Sequence, residues 1–200
     1  MYKNILAVAI LVISLNAYDK SDLKELQKSG SCAACDLSNA NLSDLNLSGA
    51  DLSESDLQGA NLSNANLKKS NLYNANLQGA KMVNANIIHA NLKGANLTKV
   101  YGKGLVLKGV SLKEAKIIDA NLTNARMWRL DLRDTIIKNS TFKGGAIAMS
   151  KLDGLDLRDS NLDDTLLWKS SFKGAILTKK ECEHIKKEGA IIDNKTKCQK

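Results

Sequence analysis

The run Ala60-Asn61-Leu62-Ser63-Asn64-Ala65-Asn66-Leu67-Lys68-Lys69-Ser70-Asn71-Leu72-Tyr73-Asn74-Ala75-Asn76-Leu77-Gln78-Gly79 decides the fold, because each leucine stands five residues after the last. Followed outward, the beat runs from Leu37 to Leu177 without a slip, and 28 of 29 pentads centre on Leu, Ile, Met or Phe. Gly102 is the single exception. Two residues before the centre the chain is small in most pentads, with Ala in 13 of 29. The residue between is Asn or Asp through most of the first half. A helix repeats every 3.6 residues and a flat strand every two, so a period of five fits neither. The chain must turn once per pentad, and repetition of this kind predicts a solenoid whose units bury apolar surface only against their neighbours.

The pentads Ala60-Asn61-Leu62-Ser63-Asn64 and Ala75-Asn76-Leu77-Gln78-Gly79 resemble those of the pentapeptide repeat family. The resemblance implies four pentads per coil, a right-handed quadrilateral β-helix, and inward side chains at the centre and two residues before it. At roughly 4.8 Å per stacked strand, 29 pentads would make about seven coils and a rod about 35 Å long. Composition agrees. The chain has no Pro, which would remove ladder donors, and only two Phe, Phe142 and Phe172, both at centres.

Four segments are expected. Residues 1–17 have a signal-peptide layout, with Lys3 followed by the apolar stretch Ile5 to Leu15 and then Ala17. That stretch is too short for a comfortable membrane span, so no stable span is expected once the signal is removed. Residues 18–35 hold a short helix from Ser21 to Lys28 closed by Gly30, and a Cys-x-x-Cys pair. The β-helix occupies 36–177. Residues 178–200 form a second cap, with Thr178 heading a helix from Lys179 to Lys187, Gly189 as its stop, and Ile185 and Ile191 over the last coil. Caps of this sort keep coil ends from joining, which predicts a monomer or weak dimer. All four cysteines lie in the end segments, and an exported chain would pair Cys32 with Cys35 and Cys182 with Cys198, one of three connectivities.

Catalytic chemistry finds little support. His89 and His184 lack metal-ligand spacing, and Asp153, Asp156, Asp159, Asp163 and Asp164 alternate with Lys151 and Arg158 as a solvated charged face would. No cofactor, metal or catalytic group is expected, which argues against a carbohydrate-processing enzyme of the kind built on other β-helices. The net charge is +8, falling to +7 without residues 1–17, and it concentrates beyond residue 100. Family members that occupy DNA gyrase resemble DNA and need an acidic surface, so retention in the cytoplasm with a gyrase role is the alternative reading, and nucleic acid is not an expected partner. Sorting outward positions by a 20-residue coil gathers Ile88, Lys108, Arg126, Trp128, Arg129, Met149, Leu166, Trp168 and Lys169 on one face. The two indoles share a column about 10 Å apart, with Ala148 between them. The expectation is a periplasmic or secreted interaction scaffold whose aromatic, basic face docks a protein or an anionic envelope polymer.

Overall fold

A computed structural model describes residues 18–199. The expected signal segment, residues 1–17, lies outside them. Parallel bridges join residues 20 apart, from Asp36 with Asp56 to Ser171 with Ile191. Four pentads therefore make one coil of a β-helix, as the five-residue beat demands. Backbone donors are accounted for one by one. In the pentad centred on Leu42, the Leu42 N–H bonds Asn61 O at 2.8 Å and the Asp44 N–H bonds Ser63 O at 2.9 Å, both one coil ahead. One coil on, the Asn61 N–H reaches back to Ala40 O at 2.9 Å. The Ala40 N–H closes the preceding turn on Leu37 O, and the Ser43 N–H bonds the Asn41 side-chain oxygen at 3.2 Å. Asn or Asp before the centre is thus a turn former that captures the N–H two residues on.

The centres and the small residues two before them fill the interior, and Leu62, Ala65, Leu67 and Leu72 are wholly buried. Outside, asparagines stack on the coil below, with Asn66 Nδ2 on Asn46 Oδ1 at 2.9 Å and Asn71 Nδ2 on Asp51 Oδ1 at 2.9 Å. The Gly102 core position is full. A Cβ there would stand 2.9 Å from Leu122 Cδ2 and 3.2 Å from Leu105 Cδ2. Leu105 supplies the volume where other pentads have Ala, so Tyr101 stays outside, and Gly102 lies outside the left-handed region.

From Val106 alternate pentads straighten into three-residue strands: β1 (Val106–Lys108), β2 (Lys116–Ile118), β3 (Arg126–Trp128), β4 (Ile136–Lys138), β5 (Ala146–Ala148) and, at the end, β6 (Ile176–Thr178). The sequence reason is local. Each begins with Val, Lys, Arg, Ile or Ala, none of which offers a side-chain acceptor to hold the turn, whereas Asn121, Asp131, Asp156 and Asn161 keep theirs; the lack permits straightening without forcing it, since Lys81, Lys151 and Leu166 lack an acceptor and stay turned. Straightening also frees the N–H that closed the turn. Serine hydroxyls from the next coil take it: Ala120 N–H bonds Ser140 Oγ, Leu130 N–H bonds Ser150 Oγ and Ser150 N–H bonds Ser170 Oγ, each at 3.1 Å. Buried Ser in the second half therefore completes the backbone ladder where Ala would leave an orphan donor.

Two corners break the pattern. From Ala34 to Gly174, the residue two after every centre has positive φ except Asp134 and Asp159. At the first, the Glu114 N–H bonds Asp134 O, one residue beyond the register kept elsewhere. At the second, no bridge joins Ile136 to Asp156 among the described residues. The ladder from Asp36 is continuous through Asp56, Asn76, Asn96 and Lys116 to Ile136, five steps, and resumes between Asp156 and Ile176. Unbroken stacking on this face thus spans about five coils, fewer than the seven expected, because the corner at Asp159 opens it.

Both ends are covered. Helix α1 (Lys20–Ser29) starts on Asp19, whose carboxylate accepts the Ser21 N–H, and ends at Gly30 with φ 75°, burying Leu26. The ladder begins before the expected boundary, since the Cys32 N–H already bonds Asp51 O at 2.7 Å. Helix α2 (Lys179–Lys187) starts on Thr178, which exchanges hydrogen bonds with Glu181 in a capping box. Ile185 is buried under it, but Ile191 is 47% exposed, contrary to expectation. Ile191 resumes the ladder beside Ser171 at an outward position, and Ile192 is the one that packs against the core. The tail then adds β7 (Lys197–Gln199), parallel to β6. No described helix is long and apolar enough to cross a membrane.

Candidate functional site

Strands β1, β3 and β5 form one sheet that carries the face singled out from the sequence. Its register sets Lys108 beside Trp128 and Trp128 beside Ala148, and the Met149 N–H bonds Trp168 O at 3.0 Å on the rung beyond. The two tryptophans occupy one column with Ala148 between them. Their exposure differs. Trp128 is half-buried, Trp168 is 51% exposed, and Ala148 is buried although its position faces outward, so neighbouring side chains close over it. Leu166 at 58% and Met149 at 40% extend the apolar surface around Trp168. Lys108, Arg126, Arg129 and Lys169 are exposed, Ile88 is half-buried, and the Lys169 ammonium stands 4.4 Å from the Trp168 ring centroid. Arg129, Met149 and Lys169 sit at turn corners with positive φ, which throws their side chains off the strand edge.

The corner at Asp134 opens a groove of about 460 Å³ beside this face, lined by Ser111, Lys113, Arg129, Asp131, Arg133 and Asp134. The Arg133 guanidinium clamps Asp131, Nε to Oδ1 at 2.8 Å and Nη2 to Oδ2 at 2.6 Å, which holds that carboxyl below its ordinary range. Arg158 grips Asp156 likewise, and a smaller hollow of about 210 Å³ opens beside it near Asp159. Both corners carry the same sequence, Asp131-Leu132-Arg133-Asp134 and Asp156-Leu157-Arg158-Asp159. That repeated tetrad is the signal the pentad count passes over, because it changes nothing at the centre.

The other polar groups are structural. Asp153 accepts from Ser171 and from the Lys173 N–H, and Asp163 pairs with Lys180, which lowers its pKa. Asp153, Asp156 and Asp163, three of the carboxylates read as a charged face, are thereby held by separate partners. His184 Nε2 lies 2.9 Å from Thr165 O. Cys32 is joined to Cys35 and Cys182 to Cys198, leaving no free cysteine among the described residues. Asp22 lies beside Cys32 and Cys35, but both sulfurs are bonded to each other and Asp22 accepts the Asp36 N–H, so this trio does not fit a metal.

Pentads of this composition, stacked four to a coil, define a pentapeptide-repeat β-helix. The family profile for pentapeptide repeats matches residues 31–68, 60–99 and 103–144 in 8 copies, more than half of the sequence, and the chain belongs to the pentapeptide repeat family. Among solved structures it is similar to QnrB1, a plasmid-mediated fluoroquinolone resistance protein, at 16% identity over 78% of this chain and 79% of that one, with a TM-score of 0.42. It is also similar to alr5209, a pentapeptide repeat protein from Nostoc PCC 7120, at 19% identity over 90% and 95%, TM-score 0.36. A third is HetL, involved in heterocyst differentiation regulation in Nostoc sp. strain PCC 7120, at 20% identity over 80% and 81%, TM-score 0.29. No curated protein sequence matches.

Proposed function

We propose that this chain is an exported, non-catalytic interaction scaffold that docks a protein or an anionic polymer of the envelope through the face bearing Trp128 and Trp168. The observation that carries the reading is the concentration of Trp168, Leu166 and Met149, all at least 40% exposed, in one patch with Lys169 over the indole. Monomeric proteins rarely leave a contiguous apolar patch open without a partner, and Trp with flanking cations is the composition of interface hot spots. Two disulfides support an oxidising compartment. A net charge of +8 speaks against DNA mimicry and hence against the gyrase alternative.

Capture from an envelope fraction tests the face. Trp168→Ser should abolish capture while leaving the melting temperature nearly unchanged, and Trp128→Ser should also lower stability because that ring is half-buried. Loss of stability with capture preserved in Trp168→Ser would overturn the reading. Export is checked separately by intact-mass measurement after fractionation. A full-length cytoplasmic species as the main product would contradict it.

A further inference from the structure

The opened corner at Asp134 has the attributes of a small-ligand site that the face alone lacks. Its volume of about 460 Å³ lies within the usual range for ligand pockets, about 300–1,000 Å³. Its charges are mixed in a specific way. Arg133 is neutralised by its bidentate bond to Asp131, and Lys113 leans toward Glu114 at 3.9 Å. Arg129 and Asp134 make no side-chain hydrogen bond or salt bridge among the described residues, yet both line the groove. A cation outside any ion pair and a carboxylate that feels Arg133 only through space thus line one cleft together with Ser111.

That combination selects a chemistry. A phosphate or sulfate ester wants donors only, whereas Asp134 offers it an acceptor of like charge. A neutral sugar would leave Arg129 without a counter-charge. A ligand that suits both carries a carboxylate on the sugar ring that meets Arg129 and several hydroxyl donors for Asp134. We infer that the groove between Ser111 and Asp134 binds a carboxylated sugar, of the uronic-acid class, presented as a short oligosaccharide. Carboxylate to guanidinium is the pairing Arg makes best, and the ring hydroxyls donate to the free aspartate. The groove shares Arg129 with the rim of the tryptophan face, and its occupancy by a small ligand depends on neither export nor partner capture.

Calorimetric titration of purified full chain with digalacturonate is the test, with its dimethyl ester and succinate as probes that keep only hydroxyls or only charge. Saturable binding of digalacturonate is expected, with each comparison ligand weaker by about tenfold or more, the loss that goes with one charge-assisted hydrogen bond. Arg129→Gln and Asp134→Asn should each weaken digalacturonate by a similar factor, whereas Lys143→Gln, a cation on another face, should leave it unchanged. Thermal melts of each variant confirm folding. Equal affinity for succinate would reduce the groove to an anion trap, equal affinity for the ester would remove Arg129 from recognition, and no saturation would remove the site. Any of these overturns the proposal while leaving the capture experiment on Trp168 untouched.

Discussion

Arg133 holds Asp131 from only two residues away, across the centre of their own pentad, with contacts of 2.8 and 2.6 Å, and Arg158 holds Asp156 in the same way. In each case the next residue, Asp134 or Asp159, abandons the left-handed conformation that every comparable corner adopts. A side-chain clamp and a lost backbone conformation therefore travel together, and the coil opens where they occur.

The clamp has a pH signature. Because Asp131 has a native pKa below its ordinary value, its stabilising contribution is complete above about pH 4 and is lost as pH falls through the lowered native value. Thermal melts should show Asp131→Asn slightly less stable than the parent at pH 7, with the gap closing near pH 2. Both groups are largely exposed, so the effect is small and shrinks in high salt. A gap that persists in acid would mean the carboxylate charge is irrelevant.

Gly102→Leu should destabilise by about 1–3 kcal/mol, since the new side chain must displace Leu122 and Leu105 from a full interior. Adding Leu105→Ala should restore most of that loss. Denaturant melts of the two single variants and the double variant give the coupling directly. Additive effects would show that the two residues do not exchange volume.

Ser150→Ala removes the acceptor for the buried Leu130 N–H and should cost about 1–3 kcal/mol. Ser70→Ala is the matched control. Its hydroxyl donates to Leu67 O, which the Ser70 N–H already serves, so nothing is orphaned and the loss should be well under that of Ser150→Ala. Equal losses in chemical denaturation would deny the hydroxyl seam its role.

The Cys182–Cys198 bond closes a separation of 16 residues and ties β7 to α2. Its removal by Ser at both positions should cost about 3 kcal/mol, concentrated at the C-terminal end. Hydrogen exchange at Leu177 and Cys198 should rise before that at Leu62, and the bared β6 edge should promote end-to-end association detectable by light scattering. Unchanged exchange and an unchanged species would show that α2 holds the end unaided.

The architecture was legible because centres such as Leu62 and small residues such as Ala65 repeat in one unbroken phase, and the core of a solenoid is that phase and little else. The switch to strands was only half written in the chain: Val106, Lys116 and Arg126 stand where Asn had stood, but so do Lys81, Lys151 and Leu166, whose pentads keep the turn. Ser140 and Ser150 looked merely small. Their hydroxyls matter only once straightened neighbours release N–H groups, a fact of three dimensions. Trp128 and Trp168 occupy one column, as the 20-residue coil requires, but a difference in their burial depends on what covers each ring. Ile191 failed as a cap because helix α2 hands the chain back to the ladder at Ile191 itself, which takes the outward position beside Ser171 and leaves Ile192 to pack against the core.

That return is itself informative. Helix α2 stands where two pentads would be, yet Ser171 still faces Ile191 across the ordinary interval of 20 residues. The coil tolerates exchange of half a lap for an unrelated element, provided the replacement leaves and re-enters at the same points. The stack is therefore interchangeable by sector as well as by whole turn, and a foreign ten-residue segment with matching ends could be grafted at that position without disturbing the rungs beneath it.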